Sequence, residues 1–274
     1  TNKVAITASA LESASLQLIV IAATGTNNID LEAAQRKAIS VCNVRDYAAP
    51  AVSQHVFSMM LALYTHLSDY ANAVREGRWH QSPVFCLLDY PINELAGKTL
   101  GIIGYGNLGK RVAKIAKGFD MKVLYWNRTR LSKADEAKLG IQYADQDALY
   151  RQSDFVSLHV ALNEGTRHLM GERQLSLMKP TAFLINTTRG PVVDEKALVK
   201  ALQEKRIAGA GLDVFEREPN LEPELYEMEN VVIPPHIGSA TVGTRLKMGM
   251  MAARNCIAGC LGERPPNIVN PEIY

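Results

Sequence analysis

The chain has 274 residues, 47% hydrophobic and 21% charged, enough material for two domains with separate cores. Its 30 basic and 28 acidic residues leave a formal charge of +2, which argues against a nucleic-acid groove or a polybasic membrane surface. The longest apolar run, Leu16–Ala23, is too short to span a bilayer, and no leader pattern opens the chain, so a cytoplasmic protein is expected.

The four cysteines (Cys42, Cys86, Cys256, Cys260) form no paired framework and no metal-ligand set, and are read as buried free thiols. A first strand is expected over Lys3–Ile6, a weak helix over Ala10–Leu16 and a second strand over Leu18–Ala22. The turn-rich Thr24-Gly25-Thr26-Asn27-Asn28 follows, then a helix from Asp30, its N-cap, and a third strand over Ser40–Val44. This is a small α/β unit.

From Val52 one long helix is expected to about Glu76, with apolar residues at 56, 59, 60, 63, 67, 70 and 74. Its broad apolar circumference suggests a two-fold homodimer interface. Met59 and Met60 read as core or interface filler, His55 and His66 as polar-face or packing residues. Gly77–Glu94 is a loop-rich connector. The expected division is therefore 1–76 for one domain, with 262–274 returning to it, and 77–261 for the other.

Lys98–Gly109 reads KTLGIIGYGNLG: an apolar strand, then Gly104, Gly106 and Gly109 spaced G-x-G-x-x-G, then helical periodicity over Lys110–Phe119. The first glycine permits a tight turn, the second lets backbone approach a pyrophosphate, and the third lets helix pack close on strand. The helix start then offers the N–H groups of Asn107 and Leu108 to an anion. With a second strand at Met121–Trp126, this predicts a dinucleotide site. A helix near Lys133–Leu139 follows, then strands over Phe155–Val160, Ala182–Asn186, Ala208–Val214 and Val231–Ile233. Helices lie over Asp194 to Lys205 and from Ser239 to about Leu261. The alternation implies a doubly wound parallel sheet.

Arg189, Glu218 and His236 each follow one of these strands, at the edge where open α/β sheets bind ligands. Their types suit hydride transfer to a ketone. An imidazolium protonates the oxygen, a neighbouring carboxylate favours the charged imidazole, and a guanidinium pairs with the carboxylate of a 2-keto acid. Read singly, each also fits a turn, a solvated or a bend position. His159 is expected to pack beside the adenosine half, with His80 and His168 in loops or at the surface.

These segments resemble the D-isomer-specific 2-hydroxyacid dehydrogenases over nearly the whole chain. Besides GYGNLG they are MKPTAFLINTTRGPVVDEKALVKAL at Met178–Leu202, GLDVFEREP at Gly211–Pro219, PPHIGSAT at Pro234–Thr241 and ATGTNNIDL at Ala23–Leu31. The resemblance implies a Rossmann cofactor domain with a second, smaller flavodoxin-like α/β substrate domain. It implies that Arg189 orients substrate, that His236 is the acid/base and that Glu218 is its partner. It further implies that Asp213 holds the nicotinamide carboxamide, with Thr187 also on the cofactor, and that backbone at Thr24 and Gly25 holds the substrate carboxylate. The connector SPVFCLLDYPINEL is similar to the glycerate dehydrogenase/hydroxypyruvate reductase branch, which implies hydroxypyruvate or glyoxylate as substrate. Formate dehydrogenases of the superfamily pair the His with Gln, so Glu218 speaks against that activity.

Three departures stand out. The second strand ends in Asn127-Arg128-Thr129 where Asp or Glu would bind the ribose of NAD, so NADP is favoured, the alternative being an exposed Arg128 with NAD accepted. Ala161 replaces the usual Pro and affects only local loop shape. Family members carry further strand and helix pieces ahead of the segment matching Thr1, so an N-terminally truncated chain with an open sheet edge is expected. Two other readings are a dinucleotide-sensing binding protein of corepressor type, and a fragment that binds cofactor without turnover.

Overall fold

A computed structural model describes residues 4–273. They form two compact units, one of residues up to Ala51 together with Ser239 onward, the other Val52–Gly238. The first unit opens with α1 (Ala8–Glu12), β1 (Leu18–Val20), α2 (Leu31–Arg36) and β2 (Ser40–Cys42). Asp30 caps α2 as expected, its Oδ1 accepting from Ala33 N at 2.8 Å. β1 and β2 pair in parallel over a core of Leu11, Ile19, Ile21, Ala33, Ala34 and Val41. The strand expected over Lys3–Ile6 begins outside the described residues, and Ile6 makes only an isolated bridge to Ile29.

The expected long helix is two: α3 (Ala49–Thr65) and α4 (Leu67–Arg75). His66 breaks it in the left-handed region at φ 50°, its Nδ1 2.8 Å from Asp69 Oδ2 and its ring stacked on Tyr90 of the connector. Apolar spacing carries across such a kink, so periodicity alone reads through it. Val56, Phe57, Met59, Met60, Leu63 and Tyr64 of α3 share one buried core with Leu100, Ile102, Val112 and Phe155. The α3 part of the expected stripe is thus covered within this unit, while Leu67 and Val74 of α4 stay exposed.

Next come β3 (Thr99–Ile103), α5 (Asn107–Gly118), β4 (Lys122–Trp126), α6 (Lys133–Leu139), β5 (Gln142–Tyr143), α7 (Gln146–Gln152) and β6 (Phe155–Leu158). α8 (Glu172–Leu177), β7 (Phe183–Asn186), α9 (Glu195–Gln203), β8 (Gly209–Leu212) and β9 (Val231–Val232) complete the unit. All seven strands run parallel in the order β5-β4-β3-β6-β7-β8-β9, and the order reverses between β3 and β6, where such sheets bind ligands. Alternate side chains feed opposite cores: Leu184 joins Leu149, Leu175 and Leu198 on one face, while Ile185 joins Val112 and Phe155 on the other. β5, α7 and α8 went unread in the sequence, being too short or too polar to show a period.

α10 (Val242–Cys260) is capped by Thr241 and returns to the first unit, packing on β1 and β2. Its buried Asn255 donates to Asn43 O at 2.8 Å. The boundaries expected at 76/77 and 261/262 therefore fall instead at 51/52 and 238/239. The reason is packing: α3 shares the core of the sheet of seven, while α10 packs on the strands of the sheet of two. The thiols also differ from expectation, since Cys42 is buried but Cys86 is half-buried and Cys256 and Cys260 are exposed. Among the described residues, no helix is long and apolar enough to cross a membrane.

Phe155 is fully buried, stacked on Phe183 at 5.3 Å and edge-on to Tyr64 at 4.9 Å. Phe155→Ala is expected to destabilise this unit by roughly 3–5 kcal/mol, read as a lowered urea midpoint; an unchanged midpoint would contradict this account of the core.

Candidate active site

The glycine loop joins β3 to α5. Gly104 takes φ 96°, and a Cβ there would stand 2.5 Å from His159 O. A Cβ on Gly109 would stand 2.3 Å from Gly104 O, so the helix start lies against the turn. At Gly106, in contrast, a Cβ meets nothing within 4 Å. The space beside Gly106 is open, which is what a pyrophosphate on a helix N-terminus requires. Gly106 caps α5 without a side-chain bond, which leaves that end to the backbone of Asn107 and Leu108.

Two further polar atoms suit a bound dinucleotide. Thr187 Oγ1, beyond β7, and His159 Nδ1, beyond β6, are buried with no hydrogen-bond partner. Buried polar atoms are seldom left so, and a ligand rich in hydroxyls and amides supplies partners. His159 Nε2 lies 2.9 Å from Ser157 Oγ, and burial pushes this imidazole down to about 3.

The end of β4 divides its labour. Asn127 Oδ1 accepts from Tyr105 N at 3.2 Å and its Nδ2 donates to Thr129 O at 3.0 Å, so Asn127 ties β4 to the glycine loop. Arg130 is spoken for by Glu136, with Nε and Nη2 donating at 2.7 and 2.9 Å, and it lies over the Tyr143 ring. That bidentate bond holds the Glu136 carboxyl below its usual range. Arg128 and Thr129 are exposed, and Arg128 is the guanidinium of this segment not engaged by Glu136.

Arg189, Glu218 and His236 follow β7, β8 and β9, three neighbouring parallel strands. Glu218 accepts from His236 Nδ1 at Oε2, 2.7 Å away, and from Phe215 N at Oε1, 3.2 Å away. His236 is held at φ 55°, a conformation disfavoured for any residue with a Cβ. With Nδ1 committed to Glu218, Nε2 is the nitrogen left for proton exchange. Arg189 donates from Nη1 to Thr188 O at 2.7 Å, and Gly190 beside it is pressed onto the next loop: a Cβ there would lie 1.8 Å from the Phe215 carbonyl carbon. The Arg189 loop and the Glu218 loop therefore touch backbone to backbone.

Asp213 is nearly fully buried, and its two oxygens accept from Ile237 N and Gly238 N, both at 2.8 Å. It fastens the segment just after His236, a task that its expected contact with a carboxamide did not include. His55 Nε2 stands 3.2 Å from Asp213 Oδ1, so of its two expected places, polar face or packing, it takes the packing one. His168 likewise pairs with Glu216 Oε1 at 3.1 Å, while His80 is exposed as expected. Thr24 and Gly25 belong to the first unit, beyond β1, where Thr24 Oγ1 donates to Val44 O at 2.9 Å and Thr24 O accepts from Asn43 Nδ2 at 2.8 Å. The sequence reading missed Gly190, Glu195 and Glu216. The only signal for them was an unexplained glycine and two acidic residues among other charged ones, Glu195 in DEK and Glu216 in ERE.

Comparison with known proteins finds relatives across nearly the whole chain. The family described as "D-isomer specific 2-hydroxyacid dehydrogenase, NAD binding domain" matches residues 57–238. A glyoxylate reductase of Thermococcus litoralis is 47% identical over 262 residues, covering 94% of this chain and 78% of that protein. A crystal structure of a glyoxylate reductase from Paecilomyes thermophila superposes with a TM-score of 0.84 at 34% identity, covering 95% of this chain and 76% of the other. An NADPH-dependent glyoxylate/hydroxypyruvate reductase of Sinorhizobium meliloti, solved with NADP and malonate, gives 0.85 at 32% identity, covering 93% and 78%.

The buried His159 makes a test of the site without cofactor. Its folded-state value lies below the ordinary 6.5, so the unfolded chain takes up its proton first on acidification. Its contribution is complete above about pH 6.5 and is lost as pH falls toward 3, by about 1.4 kcal/mol per pH unit. His159→Gln is expected to flatten the loss of stability between pH 7.5 and pH 5 by about 2 kcal/mol, measured by urea unfolding. Parallel pH dependences for the two proteins would rule this out.

Proposed function

The chain belongs to the D-isomer-specific 2-hydroxyacid dehydrogenase family, and from that premise we propose that it reduces glyoxylate or hydroxypyruvate with NADPH in preference to NADH. The observation that carries this reading is the 2.7 Å bond between Glu218 Oε2 and His236 Nδ1, past the strand ends on the same edge as the glycine loop. A dihydronicotinamide, when bound, supplies hydride to the keto carbon.

The chain's own residues do the rest. His236 carries the proton on Nε2 and gives it to the carbonyl oxygen as charge develops there. Glu218 accepts from Nδ1 throughout, which fixes the ring's orientation. Arg189 offers a planar pair of donors to the substrate carboxylate, which orients the ketone. In the oxidative direction neutral His236 takes the hydroxyl proton. A sensor without turnover has no need of a proton donor clamped in this way.

For the cofactor, Gly106 and the α5 start suit the pyrophosphate, while Thr187 Oγ1 and His159 Nδ1 suit the remaining polar groups. Preference for the phosphorylated form rests on Arg128, since Arg130 is held by Glu136 and no carboxylate ends β4. The similarity to reductases described as acting on glyoxylate and hydroxypyruvate supports a small substrate side chain.

Replacing the proton donor is the direct test. His236→Gln is expected to lower kcat for glyoxylate by ~10²–10⁴-fold while NADPH still quenches intrinsic fluorescence; undiminished turnover would remove His236 from this role. Coenzyme choice is tested separately by Arg128→Asp. NADPH affinity is expected to fall roughly 10- to 100-fold, the worth of a charge-assisted contact, with NADH affinity little altered. Equal losses for both coenzymes would place the specificity elsewhere.

A further inference from the structure

Behind the Glu218 loop lies a second group of ionisable side chains that the reaction above does not use. Glu195, the first residue of α9, is 4% exposed. It exchanges bonds with Glu216: Glu195 N donates to Glu216 Oε1 at 3.1 Å, and Glu216 N donates to Glu195 Oε1. Glu195 Oε2 also accepts from Glu222 N at 3.4 Å. His168 Nε2 closes the group at 3.1 Å from Glu216 Oε1, and its own backbone N donates to Pro191 O at 2.8 Å. Arg217 pairs with Glu222 at 2.6 Å on the exposed side. Burial raises the Glu195 carboxyl, with the Glu216 and Glu222 carboxylates adding to it.

We propose that Glu195, Glu216 and His168 form a positioning clasp that sets Glu218 against His236 and locks the Arg189 loop to the Glu218 loop. The inference rests on the roles of Glu218 and His236 given above. The path is short. Glu195 fixes the Glu216 amide, the adjoining Phe215 amide donates to Glu218 Oε1, and Glu218 Oε2 accepts from His236 Nδ1. Glu216 in return fixes the start of α9, a few residues beyond Arg189 and Gly190, whose backbone lies on Phe215. A buried carboxylate is an expensive way to hold a loop, since apolar packing would do so without desolvating charge. Directional bonds to single amide groups fix orientation as packing does not. Misplacement of a reacting group by about 1 Å is enough to lose ~10²-fold in rate.

The test uses the full chain with glyoxylate and NADPH. Glu195→Gln puts an amide N–H₂ where an acceptor is needed, and is expected to lower kcat 10- to 100-fold with NADPH affinity unchanged. The solvent deuterium isotope effect on kcat should rise, because proton delivery becomes the slow step. Glu216→Gln, which keeps an acceptor oxygen for Glu195 N, should retain several-fold more activity than Glu216→Ala. His168→Asn, at a largely exposed side chain, should lower kcat a few-fold without loss of fold, and it reads the clasp even if the Glu195 variant does not fold. Unchanged kcat in folded Glu195→Gln and His168→Asn would overturn the clasp, as would losses that track folded fraction with no change in isotope effect. Failure of the underlying reading looks different, because His236→Gln would then stay active. If only the clasp fails, His236→Gln is dead and Glu195→Gln is not.

Discussion

Seven parallel strands deliver every crossover of the larger unit to one edge, and the chemistry of the chain depends on that directional constraint. A guanidinium, a carboxylate and an imidazole separated by tens of residues in sequence become neighbours in the strand order β7, β8, β9. Polarity alone brings them to the rim but does not aim them. Aim comes from the backbone: Phe215 N orients Glu218, and Ile237 N and Gly238 N are fastened by Asp213. The bond from Glu218 to His236 is the product of both levels.

Much of this was legible in the sequence, for definite reasons. The β3–Gly104–α5 segment announces itself because Gly104 and Gly109 sit where a Cβ would collide with backbone, and Gly106 keeps the helix start open between them. The parallel sheet follows from apolar runs of strand length alternating with helical periodicity. What stayed hidden was structure without periodicity. β5 is two residues long, α7 and α8 have polar faces, and the His66 kink preserves apolar spacing on both sides. The unit boundaries were misplaced because a helix shows in sequence which face it buries, never against which sheet.

Within the site, residue types suited to act on a substrate were easier to read than those that hold other residues. Arg189, Glu218 and His236 stand out because turns past strand ends seldom need them. Asp213, Glu195 and Glu216 look in sequence like any acidic residue near a loop. Their partners are main-chain amides, and an amide has no letter of its own. Arg130, two residues past Arg128, carries the same guanidinium, yet Glu136 and the Tyr143 ring retain it.

The contact of Gly190 with the Phe215 carbonyl freezes more than two loops. With no side chain between them the two connections form one piece, and a bulkier residue at 190 would prise the segment bearing Arg189 away from the segment bearing Glu218.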